Sequence, residues 1–108
     1  LSLWDVSKVK DMSWMFSSCD KFTGTGLDKW NIESLESARA MFIGDKKLNV
    51  DLSNWKTNKI NNMVSMFAGC TNLNFDISKW EHDGVDKNPS TTKWMVTNTK
   101  LKKQSWMV

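Results

Sequence analysis

The chain has 108 residues, 40% of them apolar, with a net charge of +3, two Cys, seven Trp, seven Met and no Tyr, which suits one small domain with its own core. Residues 87–108 carry five Lys and no acid, while residues 1–86 carry the other ten bases and all twelve acids, a net of −2. A weakly acidic body excludes a broad nucleic-acid face, and no apolar run of 18 residues, signal peptide or lipidation motif is present in these residues.

Along the chain a single template recurs. Trp4, Trp30, Trp55 and Trp80 are 26, 25 and 25 residues apart. Five residues after each of the first three comes Val9, Leu35 or Ile60, followed by Met15-Phe16, Met41-Phe42 or Met66-Phe67. A fixed period of this length means that units stack because none buries its apolar face alone. The chain opens inside a repeat, since Leu1-Ser2-Leu3-Trp4 aligns with Leu52-Ser53-Asn54-Trp55. It therefore reads as a segment of a longer protein, for which missing targeting signals say nothing about location. Leu1, Leu3 and Trp4 are expected to be partly exposed, so two chains could meet end to end.

In the first copy, Val9, Met12, Met15 and Phe16 are spaced i, i+3, i+6, i+7, one face of a short helix. Thr23-Gly24-Thr25-Gly26 then adds one residue and two glycines, a bulged or loosened strand. Leu35, Ala38, Met41 and Phe42 repeat the helical spacing in the second copy. Leu48-Asn49-Val50-Asp51-Leu52 alternates apolar and polar as a half-buried strand. Ile60, Met63, Met66 and Phe67 predict a third helix, and Leu73-Asn74-Phe75-Asp76-Ile77 the next strand. Gly44 and Gly69 stand where each helix would stop. After Trp80 the pattern decays: Asn88, Thr91 and Thr92 stand where a constant period expects Met63, Met66 and Phe67, and Pro89 disfavours a helix.

Strand, turn, short helix and turn in about 25 residues predict an α/β fold. The expected architecture is a short right-handed parallel β/α solenoid, leucine-rich-repeat-like, of about three repeats. Residues 1–86 are expected to form the solenoid and 87–108 a degenerate basic C-terminal cap or tail, with a capping hairpin or an irregular end at 93–108. The two cysteines share a repeat position two rungs apart, about 9.6 Å, beyond the ~7 Å reach of a disulfide. Two free, mostly buried thiols are expected.

The segment 52–70, Leu-Ser-Asn-Trp-Lys-Thr-Asn-Lys-Ile-Asn-Asn-Met-Val-Ser-Met-Phe-Ala-Gly-Cys, resembles the BspA-like leucine-rich repeats of bacterial surface proteins, in their mycoplasma lipoprotein form. Val9 to Cys19 matches it equally well, and the likeness covers roughly residues 1–80; Ala38 and Asp45 depart from it. The resemblance implies tandem arrays, a cell-surface or secreted location, and adhesion or host contact. It brings no catalytic motif.

The Trp ladder and the Met-Phe pairs read as core. Candidate ligand contacts are the outward columns Asn49 over Asn74 and Asp51 over Asp76, and Lys29, Asn54 and Lys79 beside the Trp residues. Trp14, aligned with Ala40 and Ser65, is expected to be exposed and completes the set. Stacked carboxylates repel unless bridged, but two of them without a glycine-rich ligand loop make only a weak calcium site, and no Cys/His cluster has zinc spacing. His82 lacks an identifiable triad partner. The expectation is a non-enzymatic surface segment without cofactor or metal. It would bind a host or matrix protein or a glycan, not nucleic acid, and would reach a membrane only through an anchor outside this segment. The alternative is a structural spacer or variable surface antigen with no ligand of its own.

Overall fold

The Met-Phe segments decide the fold, and they are not helices. In the computed structural model, which describes residues 3–108, they are runs of consecutive tight turns. Met15 N donates to Met12 O (3.2 Å), Ser17 N to Trp14 O (3.1 Å) and Cys19 N to Phe16 O (3.3 Å). The same three turns recur on Ala38, Ala40 and Phe42, and again on Met63, Ser65 and Phe67. The third residue of the first and last turn in each set is left-handed: Trp14 and Ser18 (φ 63° and 55°), Ala40 and Gly44 (51° and 77°), Ser65 and Gly69 (56° and 79°). That is the requirement of a type II turn. An α-helix needs φ near −60° throughout, so two left-handed residues four apart rule it out. The three-residue spacing misleads because turns closing from i to i+3 also return side chains to one face.

Within the turn runs the stacking bonds go from each copy to the next, while just before them Glu36 N and Ser37 N donate back to Lys10 O, and Asn61 N to Glu36 O. Met12, Trp14, Phe16 and Ser18 donate their backbone N–H groups to Ser37, Arg39, Met41 and Ile43 carbonyls at 2.7–2.9 Å. Ala38, Ala40, Phe42 and Gly44 donate in turn to Asn62, Val64, Met66 and Ala68. Met63, Ser65, Phe67 and Gly69 donate to Thr91, Lys93, Met95 and Thr97. Residues 92–99 are thus a fourth copy, with its own left-handed pair at Trp94 and Asn98 (φ 60° and 57°). Its register is four residues later than a constant period gives, because Thr92 takes the place expected for Asn88. The short helix α1 (Asp83–Asp86) and a 3-10 turn at Pro89–Thr92 take up the extra length.

The expected β/α solenoid is not what forms. Among the described residues there is no sheet, and parallel pairing survives only as two isolated bridges, Asp11 to Ser37 and Ser37 to Asn62. Leu48–Leu52 and Leu73–Ile77 keep their alternating burial but form no strand. One cross-copy backbone bond reaches the first of them, from Asn49 N to Thr23 O (3.0 Å), and none reaches the second. The regular elements are α1 and the 3-10 turns Leu27–Lys29, Ile77–Lys79 and Pro89–Thr92. The extents, 33 × 30 × 22 Å, are those of a compact globule rather than an elongated superhelix.

The core follows the repeat closely. Leu35, Ala38, Met41 and Phe42, and likewise Ile60, Met63, Met66 and Phe67, are wholly buried. Phe16, Phe42 and Phe67 stack at 5.7 and 5.5 Å with near-parallel rings, a geometry that adds to area burial. Trp30, Trp55 and Trp80 are buried, and Trp4, on the uncovered first copy, is 55% exposed. The indole N–H of Trp55 donates to Leu27 O and that of Trp80 to Leu52 O, both at 2.8 Å. Each of those carbonyls already closes its own turn by accepting from Trp30 N or Trp55 N at 3.1 Å. The Leu-x-x-Trp signature is therefore a turn locked by the Trp of the next copy. Of the residues expected to be exposed at the opening, Leu3 and Trp4 are so; Leu1 lies outside the described residues.

Helix α1 docks at one point with no slack. A Cβ on Gly84 would strike the backbone carbonyl of Ile60, which cannot swing aside as a side chain can. Gly84→Ala is expected to lower stability by about 1–3 kcal/mol. Urea denaturation read by tryptophan fluorescence measures this, and an unchanged midpoint would show that α1 is not seated on Ile60.

Candidate recognition surface

Each copy turns a corner through an aspartate or asparagine that caps its own backbone two residues on, a habit of these side chains. Asp51 Oδ1 accepts from Ser53 N (2.9 Å), and Asp76 Oδ1 accepts from Ser78 N (3.1 Å) and from the Ser78 hydroxyl. Asp11 and Asn62 cap other corners in the same way. The serine hydroxyl and then the serine N–H hold the Asp51 and Asp76 carboxyls below their ordinary value, and Lys79 adds to this in both. The Asp51 charge opposes it at Asp76. The stacked acids therefore sit beside Lys79 of the neighbouring column, which relieves part of their repulsion.

Lys29 ends the 3-10 turn Leu27–Lys29, and Lys79 ends Ile77–Lys79. Lys29 and Asn54 line a shallow depression of about 290 Å³ with Asn31, Glu33 and Lys56, over the buried Trp30. Asn31, Glu33 and Lys56 were not singled out from the sequence. Their signal is positional, because Asn31 and Lys56 directly follow the repeated Trp, and Asn31 caps Glu33 N at 3.0 Å. Asn49 and Asn74 are exposed. Trp14 is exposed as expected (53%). It belongs to the turn ladder and lines neither the depression nor the Asp51, Asp76 and Lys79 group.

A second polar column is internal. Cys19, Asp45 and Cys70 occupy one repeat position, and both thiols are free. Asp45 is wholly buried; its Oδ1 accepts from Cys19 N (2.7 Å), while Oδ2 has no partner. Burial first, and then the charge of Asp20, raise its pKa to about 6 against the opposing Cys19 N–H bond. Burial pushes the Cys70 thiol up to about 12, against a backbone hydrogen bond at Asp45 that lowers it and with a smaller rise from the Asp45 charge. A thiol held neutral is a poor nucleophile and metal ligand. Among the described residues no three His, Cys, Asp or Glu side chains converge on a common metal position. His82 pairs with Asp86 (2.7 Å) and stacks on Trp106 at 5.0 Å.

Four stacked copies of one turn unit, with polar corners outside and aromatic ladders inside, define a repeat protein. The chain belongs to the family described as Mycoplasma protein of unknown function, DUF285, which matches residues 1–106. No curated protein and no solved structure matches it.

Proposed function

We propose that this chain is a non-enzymatic recognition segment of a bacterial cell-surface or secreted protein, related to the BspA-like repeats. It would bind a host or matrix protein or a glycan. The observation that carries this reading is the Lys29, Asn54 and Lys56 depression over the buried Trp30; Asp51, Asp76 and Lys79 form a separate charged group. Exposed amides, ammonium groups and a carboxylate over a buried Trp offer both signs of charge and both hydrogen-bonding roles to a polar ligand. Repetition of the corner in a longer array would raise avidity without a strong single site. Kinship with the BspA-like repeats rests on Leu52 to Cys70, whose residues match that signature. A lipid or wall anchor outside this segment would supply membrane attachment.

Matrix-protein and glycan arrays test the proposal. The chain should bind at least one class. The pair Lys29→Glu/Lys56→Glu should weaken that binding by about tenfold or more, roughly 1.4 kcal/mol, with an unchanged melting temperature. A folded chain that binds nothing across both arrays would favour the spacer or variable-antigen reading instead.

A further inference from the structure

The five lysines of residues 87–108, which have no acid among them, stand on folded chain. Lys93 belongs to the fourth run of turns, which accepts the backbone N–H groups of the third. Lys100, Lys102 and Lys103 belong to the segment that follows, whose Leu101 and Met107 are buried. Lys87, Lys93, Lys100, Lys102 and Lys103 are all exposed. The one ion pair among the described residues joins His82 to Asp86. The five ammonium groups therefore have no described carboxylate within pairing distance, and their combined field attracts an anion.

Two of them flank a cleft. The turn run at 92–97 and the segment carrying Lys103 and Met107 bound a cavity of about 450 Å³, within the span of small-ligand sites, about 300–1,000 Å³. Lys93 and Lys103 line it with Trp94, Val96, Thr97 and Met107. The two walls are tied together where Val108 N donates to the Thr92 hydroxyl (2.9 Å). The Lys93 ammonium lies 4.5 Å from the centroid of the Trp94 ring, a cation–π contact. It takes one face of the indole, and Trp94 stays 55% exposed. The cleft thus sets an aromatic face beside two cations and apolar walls.

We propose that this cleft binds an acidic sugar, a uronic-acid residue of a glycan. Its carboxylate pairs with Lys93 and Lys103, and the C–H face of its ring stacks on Trp94. The combination selects the ligand. A small inorganic anion answers the lysines and leaves Trp94 and Met107 without a partner. A neutral sugar answers Trp94 and leaves the lysines unpaired. An acidic peptide carries its carboxylates on flexible side chains, apart from any apolar face. Single-stranded nucleic acid is held by several aromatic rings stacking successive bases, and the cleft offers one. The net −2 of residues 1–86 also opposes a long, densely charged polymer, whereas a uronic-acid glycan spaces its carboxylates widely. The cleft shares no residue with the Lys29 depression or the Asp51 column, so it is a second site and does not depend on the first.

Calorimetric titration with a hyaluronan hexasaccharide, and with the same oligosaccharide after its carboxylates are reduced to alcohols, tests this. The chain should bind the acidic form about tenfold or more tightly than the reduced form, and added salt should weaken the difference. Lys93→Gln/Lys103→Gln should remove that preference. Trp94→Asn should weaken both forms; asparagine tolerates the left-handed conformation there. Lys46→Gln/Lys47→Gln takes the same charge from exposed lysines elsewhere and should change neither. No binding of the hexasaccharide, equal binding of its two forms, or an equal loss in the Lys46 and Lys47 pair would overturn the proposal. So would binding as tight to poly-glutamate, a single-stranded oligonucleotide or phosphatidylserine vesicles. Lysine acetylation of the unaltered chain, read by mass spectrometry, needs no variant. The acidic hexasaccharide should shield Lys93 and Lys103 and leave Lys46 and Lys47 reactive, and unshielded Lys93 and Lys103 would equally overturn it.

Discussion

Replacing Phe42 by alanine is expected to cost about 3–5 kcal/mol, the range for removing a buried phenyl ring from a core. The ring is wholly buried, lies parallel between Phe16 and Phe67, and touches Trp55 at 6.3 Å between centroids. Neighbours on both sides are held by the backbone ladder, so they cannot close over the cavity. Phe16 is the internal comparison: it holds the same repeat position but is only half-buried on the first copy. Phe16→Ala should therefore cost clearly less. Chemical denaturation of both variants measures the difference. Equal losses would mean that the first copy is as well covered as the second, against the exposure of Met15 and Trp4 beside it.

That contrast shows what the sequence disclosed and why the rest was hidden. The period of 25–26 residues located every buried Trp and the wholly buried Met-Phe pairs of the second and third copies, because burial follows repeat position whatever the backbone does. The same spacing could not distinguish a helix from consecutive turns, since both return every third side chain to one face. The distinguishing residues are Trp14, Ala40 and Ser65. None is a glycine, so nothing in their chemistry announces a left-handed backbone. Gly44 and Gly69 did announce one, but equally suit the end of a helix. The fourth copy was obscured by four extra residues around α1 and by Thr92 and Val96 in place of Met and Phe. At the corners, Asp51, Asp76, Lys29 and Lys79 were legible as outward positions. Asn31 and Lys56 had only their place after a repeated Trp to mark them, and the fold of two successive copies brings them and Glu33 to the Lys29 depression.

The stability of this chain should fall as pH rises from about 4 to about 7, and Asp45 should be the reason. Its folded pKa of about 6 lies above the ordinary value of 3.8, so the fold favours the protonated acid. That contribution is fully present below pH 3.8 and is lost as pH rises through about 6. Two pKa units correspond to up to about 3 kcal/mol, consistent with a wholly buried carboxylate whose Oδ2 lacks a partner. Asp5, Asp11, Asp51 and Asp76 act with the opposite sign. Their lowered values add stability above pH 3.8 that is lost below it, so the two windows meet near pH 4 without overlapping. Asp45→Asn keeps an oxygen for Cys19 N and removes the charge. Melting temperatures across this range should decline for the unaltered chain and stay nearly level for the variant. Subtracting the two profiles cancels every contribution the two chains share. Parallel profiles would show that the Asp45 carboxylate reaches water or a partner, and that the Cys19, Asp45 and Cys70 column is not the closed interior position described here.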